Sequence, residues 1–186
     1  MTDTLHKRAD AVRNRARVIA AAEVVFAERG TEASVPEVAE RAGVGKATVY
    51  RSFPTKEHLI AAIVIERLAD FERRALERLG DPDAWAALRD LLAEGAERHC
   101  ADRSISAGFA DASSLPEVQV ARDAMWAALG ALMERAKEQG TLRADATPED
   151  FRILWAGTAR MLIGDGVSDV AQWRRYAGLV LRALSA

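Results

Sequence analysis

A single cysteine, Cys100, is all that this 186-residue chain carries. No disulfide framework can form within it, and a lone thiol fits a reducing compartment. Aromatic residues are scarce, at 6%. No uncharged apolar run approaches the roughly 20 residues that span a bilayer. The opening residues, Met1 to Asp10, are polar and charged, which is not the pattern of a secretory leader. Sustained apolar/polar alternation is missing, as are internal repeats and low-complexity tracts. No nucleophile–base pair, metal motif or phosphate loop is visible, and the acids fall at helical spacings, as solvated charges do. His99-Cys100 is the one place that invites a metal. Adjacent residues on a helix point in different directions, however, and no further His or Cys lies nearby in sequence. No metal or other cofactor is expected. These absences argue against an enzyme and leave a soluble, cytoplasmic protein as the expectation.

What is present favours helices. Alanine is abundant, and apolar residues make up 49% of the chain, enough to bury a core. The net charge is −2, but it is unevenly spread. Residues 1–58 carry 10 Lys/Arg against 8 Asp/Glu, while residues 59–186 carry 16 against 20. Lys7, Arg8, Arg13, Arg15 and Arg17 cluster against a single acid, Asp10. Such a run is either a solvated helix face or an arm for a polyanion.

The apolar spacing predicts about nine helices and an all-α fold. A first helix over about 10–29 places Val12, Ala16, Ile19, Ala22 and Phe26 on one face and stops at Gly30. A short second helix starts at Ser34, where Ser34 and Glu37 form a capping box and Pro36 falls in the first turn. Val35, Val38, Ala39 and Ala42 face inward, and Gly43 ends the helix. After only Val44 and Gly45, a third helix covers about 46–53, stopped by Pro54. Two short helices joined by a tight, glycine-containing turn are the signature of a helix-turn-helix. Thr55 caps a fourth helix over about 56–79, with Leu59, Ile60, Ile63, Val64, Leu68 and Phe71 as its stripe. Gly80-Asp81-Pro82 is a break, with Asp81 as the cap of a fifth helix running to about His99. The segment 101–114 reads as one short helix with loops. Leu115-Pro116 opens a helix to about Gln139, Thr147-Pro148-Glu149-Asp150 opens another to about Ile163, and Ser168 caps the last.

A helix-turn-helix sets its second helix in the DNA major groove. Here that helix offers Lys46, Thr48, Tyr50, Arg51 and Ser52, with Val49 and Phe53 holding it from behind. Lys46 suits a guanine edge and the Thr48 methyl a thymine methyl. Tyr50 and Arg51 suit phosphate oxygens. Lys56 adds a charge at a helix N-terminus, which already favours anions, and Ser34 stands at another. Taken singly these are ordinary surface residues; together they sit at one pole of the chain. The candidate DNA-contacting set is Ser34, Lys46, Ala47, Thr48, Tyr50, Arg51 and Lys56, with Arg13 from the basic run.

The segment from Arg17 to Leu59 resembles the N-terminal domain of the TetR family of transcriptional regulators. Phe26, Gly30, Val38-Ala39, Ala42-Gly43-Val44, Thr48-Val49-Tyr50, Phe53 and Lys56-Glu57-x-Leu59 all fall at the family's spacing, and the match covers roughly residues 10–64. The resemblance implies DNA contacts for Lys46, Thr48, Tyr50, Arg51 and Lys56, a homodimer made by the last two helices, and an effector pocket in the C-terminal half. It implies residues 1–55 as a DNA-binding domain and 56–186 as an effector-binding and dimerisation domain. Gly45 stands where Ser is usual, so the third helix lacks a side-chain cap. Ala47 stands where Gly is common. Val35 and Pro36 stand where many members have polar residues, which argues against base reading by the second helix. Residues 140–151 resemble a turn common in one bacterial branch of the family.

Candidate pocket residues in the C-terminal half are Phe71, Trp85, Leu88, Leu92, Phe109, Met125, Trp126, Leu129, Met133 and Trp155, because Met and aromatic side chains adapt to apolar ligands. Each of them is equally at home in a core. Candidate dimer residues are Phe151, Leu154, Thr158, Leu162, Trp173, Ala177, Val180, Leu181 and Leu184, which could pair with a second copy in a four-helix, twofold interface. The expected function is a repressor that binds a palindromic operator in double-stranded DNA as a homodimer and is released by a small, largely apolar effector. The alternatives are a helical enzyme or an interaction module without DNA binding. The latter leaves the basic first helix and the Lys46–Lys56 set unexplained.

Overall fold

The computed structural model describes residues 2–101 and 115–186. Among these residues are eight α-helices and no strand: α1 (Thr2–Arg29), α2 (Val35–Ala42), α3 (Lys46–Ser52), α4 (Lys56–Glu77), α5 (Ala84–Ala101), α6 (Pro116–Glu138), α7 (Pro148–Gly164) and α8 (Val170–Ala183). The ninth expected helix, and Phe109 with it, fall outside the described residues. The chain divides into two compact units, and the division falls inside α4 between Glu66 and Arg67 and inside α6 between Gln119 and Val120.

The N-terminal unit is built on α1, against which α2 and α3 pack. Its core gathers Val18, Ile19, Ala22, Val25 and Phe26 from α1, Val35, Val38, Ala39 and Ala42 from α2, Val49 and Phe53, and Leu59, Ala62 and Ile63 from α4. The expected α1 face is corrected at its start. Val12 is 69% exposed and Ala16 is also exposed. The helix begins eight residues earlier than its apolar pattern does. The buried stripe runs instead from Val18 to Phe26.

In the C-terminal unit, α8 packs on α5 and on α7. Leu88, Leu91, Leu92, Leu129, Leu132, Met133, Phe151, Val180, Leu181 and Leu184 share one core, and Ala96, Cys100, Ala159, Leu162, Trp173 and Ala177 share a second. Polar ends are closed locally. Thr147 and Asp150 make a reciprocal capping box at the start of α7. Gly140, at φ +71°, lets the chain leave α6 in the left-handed conformation. The following loop then pairs with the C-terminus: Arg143 N–H donates to the Leu184 carbonyl at 3.0 Å, and Ala186 N–H to Thr141 at 3.2 Å.

Two expected caps move. Asp83, not Asp81, caps α5, its carboxylate accepting from Ala86 N–H at 2.9 Å. Gln139 supplies the other half of that cap, accepting from Ala84 N–H at 2.9 Å and donating to the Pro82 carbonyl. Asp169, not Ser168, caps α8 by accepting from Ala171 N–H. Ser168 turns its carbonyl to the Cys100 thiol instead, at 3.4 Å. In both cases a carboxylate beside the helix start outcompetes the residue one or two places earlier.

Candidate nucleic-acid interface

The turn between α2 and α3 is set by two glycines with different duties. Gly43 closes α2 at φ +64°, the left-handed conformation that side chains resist. Its N–H donates to Glu40 and the Val44 N–H to Ala39, each at 3.0 Å, so the freed carbonyls of α2 are satisfied. Gly45 is extended, and its carbonyl accepts from Thr48 and Val49 N–H at 2.9 and 3.3 Å, starting α3. As the sequence implies, no side chain caps this helix.

Only one side of α3 enters the core. Val49 and Phe53 are 0% and 2% exposed, and burying such side chains contributes about 1.5–3 kcal/mol each. That anchorage turns the opposite face outward. Lys46, Ala47, Tyr50 and Arg51 are exposed, and Thr48 is half-buried at the edge. Positions 46, 47, 50 and 51 lie three and four apart, so they share one strip of the helix surface. Lys56 stands half-buried at the start of α4, its ammonium 5.5 Å from the centroid of the Phe26 ring. Thr55 caps that helix, its hydroxyl accepting from His58 N–H at 3.4 Å.

Other basic groups of this unit are already engaged. Arg41 donates to both carboxylate oxygens of Glu28 at 3.1 and 3.0 Å, and Arg29 pairs with Glu37 at 3.2 Å. Arg13 pairs with Asp10 one turn earlier on α1. Lys46 and Arg51, by contrast, have no ion-pair or hydrogen-bond partner among the described residues. The side chains of Lys7 and Arg8 lie outside the described ones.

Of the two roles expected of Ser34, the capping box with Glu37 is the one seen. Its N–H and its hydroxyl both donate to the same Glu37 oxygen, at 2.9 and 2.7 Å. These two bonds, the hydroxyl's first, hold the Glu37 carboxyl below the usual carboxylate range, with the Arg29 and Lys56 charges assisting. The anion that the start of α2 favours is therefore supplied by its own third residue. A phosphate oxygen could use Ser34 only by displacing a tethered carboxylate.

Eight of the candidate pocket residues of the C-terminal unit fall in or against one core. Leu88, Leu92, Leu129 and Met133 are buried, and Phe71, Trp85, Trp126 and Trp155 pack against them half-buried. Met125 is also half-buried. The sequence reading missed His99. Its ring lies 5.6 Å from Trp155 edge-on and 6.1 Å from Trp173 in a stack, with Nδ1 bonded to the Gly95 carbonyl. A lone His carries no sequence signal for such a place, because its two Trp neighbours come from α7 and α8.

The candidate dimer residues are corrected more sharply. Phe151, Leu162, Trp173, Ala177, Val180, Leu181 and Leu184 are all buried in the unit's own core. Trp173 is 0% exposed, and its indole N–H donates to the Val167 carbonyl at 3.0 Å. Both helices carry two apolar faces, and of the nine expected residues only Leu154 and Thr158 lie outside the buried one. The large apolar side chains turned outward are Ile153, Leu154 and Met161 on α7 and Val170 and Leu179 on α8, which are 58%, 40%, 62%, 39% and 39% exposed; Thr158 is half-buried.

A glycine-turned pair of short helices that buries one side and presents Lys46, Tyr50 and Arg51 on the other defines a helix-turn-helix DNA-binding protein. Comparison with known proteins gives the family. Residues 18–63 match the model of the bacterial regulatory proteins of the tetR family, and residues 82–185 match that of the SbtR-like transcriptional regulator C-terminal domain. A TetR transcriptional regulator from Streptomyces coelicolor is 31% identical, with 92% of this chain and 98% of that one covered and a TM-score of 0.69. A TetR regulator from Mycobacterium vanbaalenii is 30% identical over 96% and 99%, with a TM-score of 0.65. SmeT, the repressor of a multidrug efflux pump of Stenotrophomonas maltophilia, shares the fold at 20% identity over 92% and 90%, with a TM-score of 0.67. No curated protein gave a significant match. The chain belongs to the TetR family of transcriptional regulators and is not an enzyme. Among the described residues, no helix is long and apolar enough to cross a membrane.

Proposed function

We propose that this regulator is a repressor that binds a palindromic operator as a homodimer and lets go when a small, largely apolar effector binds. On this reading residues 1–55 carry DNA binding, residues 56–186 carry the effector and dimer functions, and the protein works in the bacterial cytoplasm. The observation that carries it is the outward strip of α3. Lys46 and Arg51 are exposed there without protein partners, beside Tyr50 and the half-buried Thr48. Lys46 and Thr48 stand at the end of α3 suited to base edges, while Tyr50, Arg51 and Lys56 suit the flanking phosphates.

Dimerisation follows from what a twofold operator requires, two recognition helices about 34–36 Å apart. The surface for it is the outer face of α7 and α8, with Ile153, Leu154, Met161 and Leu179. For the effector, the half-buried Phe71, Trp85, Trp126 and Trp155 are the groups an apolar ligand would meet, since the buried leucines are already in contact with one another.

A footprint on operators selected from random DNA tests the reading. Two symmetric protected half-sites are expected. Tyr50→Ala and Lys56→Ala should weaken binding to all sequences, and Lys56→Ala should lower the slope of log K against log salt by about 1. Ile153→Lys with Met161→Lys should yield folded monomers in sedimentation. An intact dimer that binds no DNA at low salt would refute the proposal.

A further inference from the structure

Two arginines of the basic run of α1, though exposed to solvent, reach protein groups on either side of the recognition helix. Arg17 donates through Nη2 to the carbonyl of Ala42 at 2.6 Å. Ala42 is the last residue of α2, so this is one of the carbonyls a helix leaves without an internal partner. The same nitrogen stands 3.1 Å from where a Cβ on Gly43 would be. Arg15, two residues earlier, lays its guanidinium over the Phe53 ring, 4.4 Å from the centroid. Phe53 is the residue that closes α3. The two side chains therefore touch the chain immediately before and immediately after the α2–α3 turn and recognition helix.

We propose that Arg15 and Arg17 are positioning residues that clamp the recognition helix at its two ends, rather than contacts to the DNA backbone. Arg17 neutralises the negative end of α2 and fixes the left-handed turn at Gly43. Arg15 holds Phe53, the buried anchor from which α3 takes its angle. The Ala42 carbonyl and the Phe53 ring hold the two guanidinium groups against the protein. The clamp thus takes Arg15 and Arg17 from the basic run of α1, while Lys46 and Arg51 on α3 face the nucleic acid.

The proposal rests on operator binding, and one set of titrations separates the two. The full-length protein, Arg15→Met, Arg17→Met, Arg17→Lys and Arg51→Met are each titrated with operator and with unrelated duplex over a range of salt. The clamp predicts that Arg17→Met lowers operator affinity by about tenfold, the scale of one charge-assisted hydrogen bond. Affinity for unrelated duplex and the salt slope should stay as in the parent protein, and Arg15→Met should act in the same direction. Arg51→Met, at a phosphate contact, should instead lose about 1 in slope. If Arg17→Met lowers the slope by about 1 and weakens both duplexes equally, Arg17 is a phosphate contact and the clamp is wrong. Unchanged operator affinity also overturns it. Should Arg17→Met fail to fold, Arg17→Lys decides. A clamp loses discrimination because the shorter lysine cannot match the guanidinium, whereas a phosphate contact keeps both duplexes and the slope. If the parent protein binds neither duplex, the regulator reading itself falls, and the clamp's role in binding falls with it.

Discussion

In the N-terminal unit the groups set against DNA lie close together in sequence, from Lys46 to Lys56. In the C-terminal unit the candidate ligand and interface groups are drawn from Phe71 to Leu184. The first arrangement is made by a turn, two short helices and their caps, all of which act over three or four residues. The second is made by packing between helices far apart in the chain. The same residue types therefore mean different things in the two units. An exposed Lys on α3 has little choice of role, whereas a Trp on α8 can be core, pocket or interface, and only its neighbours decide.

The sharpest way to test that contrast is Trp173→Ala. As a core residue it should cost about 3–5 kcal/mol of unfolding free energy, seen in denaturant titration. An interface residue would instead raise the dimer dissociation constant and leave the protomer's own melting unchanged. Next in size is Gly43→Ala. A side chain held at φ +64° costs roughly 1–2 kcal/mol, and the new Cβ would also crowd Arg17, so both unfolding and operator binding should suffer.

Smaller and pH-dependent is the effect of the capping carboxylates. Glu37 is held low by the Ser34 hydroxyl and N–H, and Asp150 by the Thr147 hydroxyl and N–H. A carboxyl that titrates below its unfolded value stabilises the fold above the ordinary carboxylate range. That contribution is lost as the pH falls below about 4. Ser34→Ala should return Glu37 toward its ordinary value, read from its carboxyl resonance during an NMR titration, and leave Asp150 in the other unit unmoved. The smallest effect is expected from Gly45→Ser. A Cβ there comes no closer than 4.0 Å to Thr48 Oγ1, and the restored cap should stabilise α3 by a few tenths of a kcal/mol, measurable as a small rise in Tm.

Sequence periodicity located the helices, but not every end of them. The caps at Asp83 and Asp169 were misplaced by two and one residues, since Asp81 and Ser168 are equally good caps by type. Choosing between them needed the backbone direction, and at Asp83 also the Gln139 amide that arrives from α6. The basic run of α1 is visible as a cluster, but the contacts of Arg15 and Arg17 are not. Their targets, Phe53 and the Ala42 carbonyl, lie 38 and 25 residues away.

From sequence alone follow the all-helical class, the tight Gly43-Val44-Gly45 turn, the inward Val49 and Phe53, and hence the outward Lys46, Tyr50 and Arg51. Each depends on local backbone preference and on a 3.6-residue repeat, which a linear string displays. Tertiary structure alone decided that Trp173, Val180 and Leu181 are core while Met161 and Ile153 are surface, and that His99 lies between two tryptophans. Those outcomes turn on which of two apolar faces meets a neighbour, and a helix does not record in its own sequence what will pack against it.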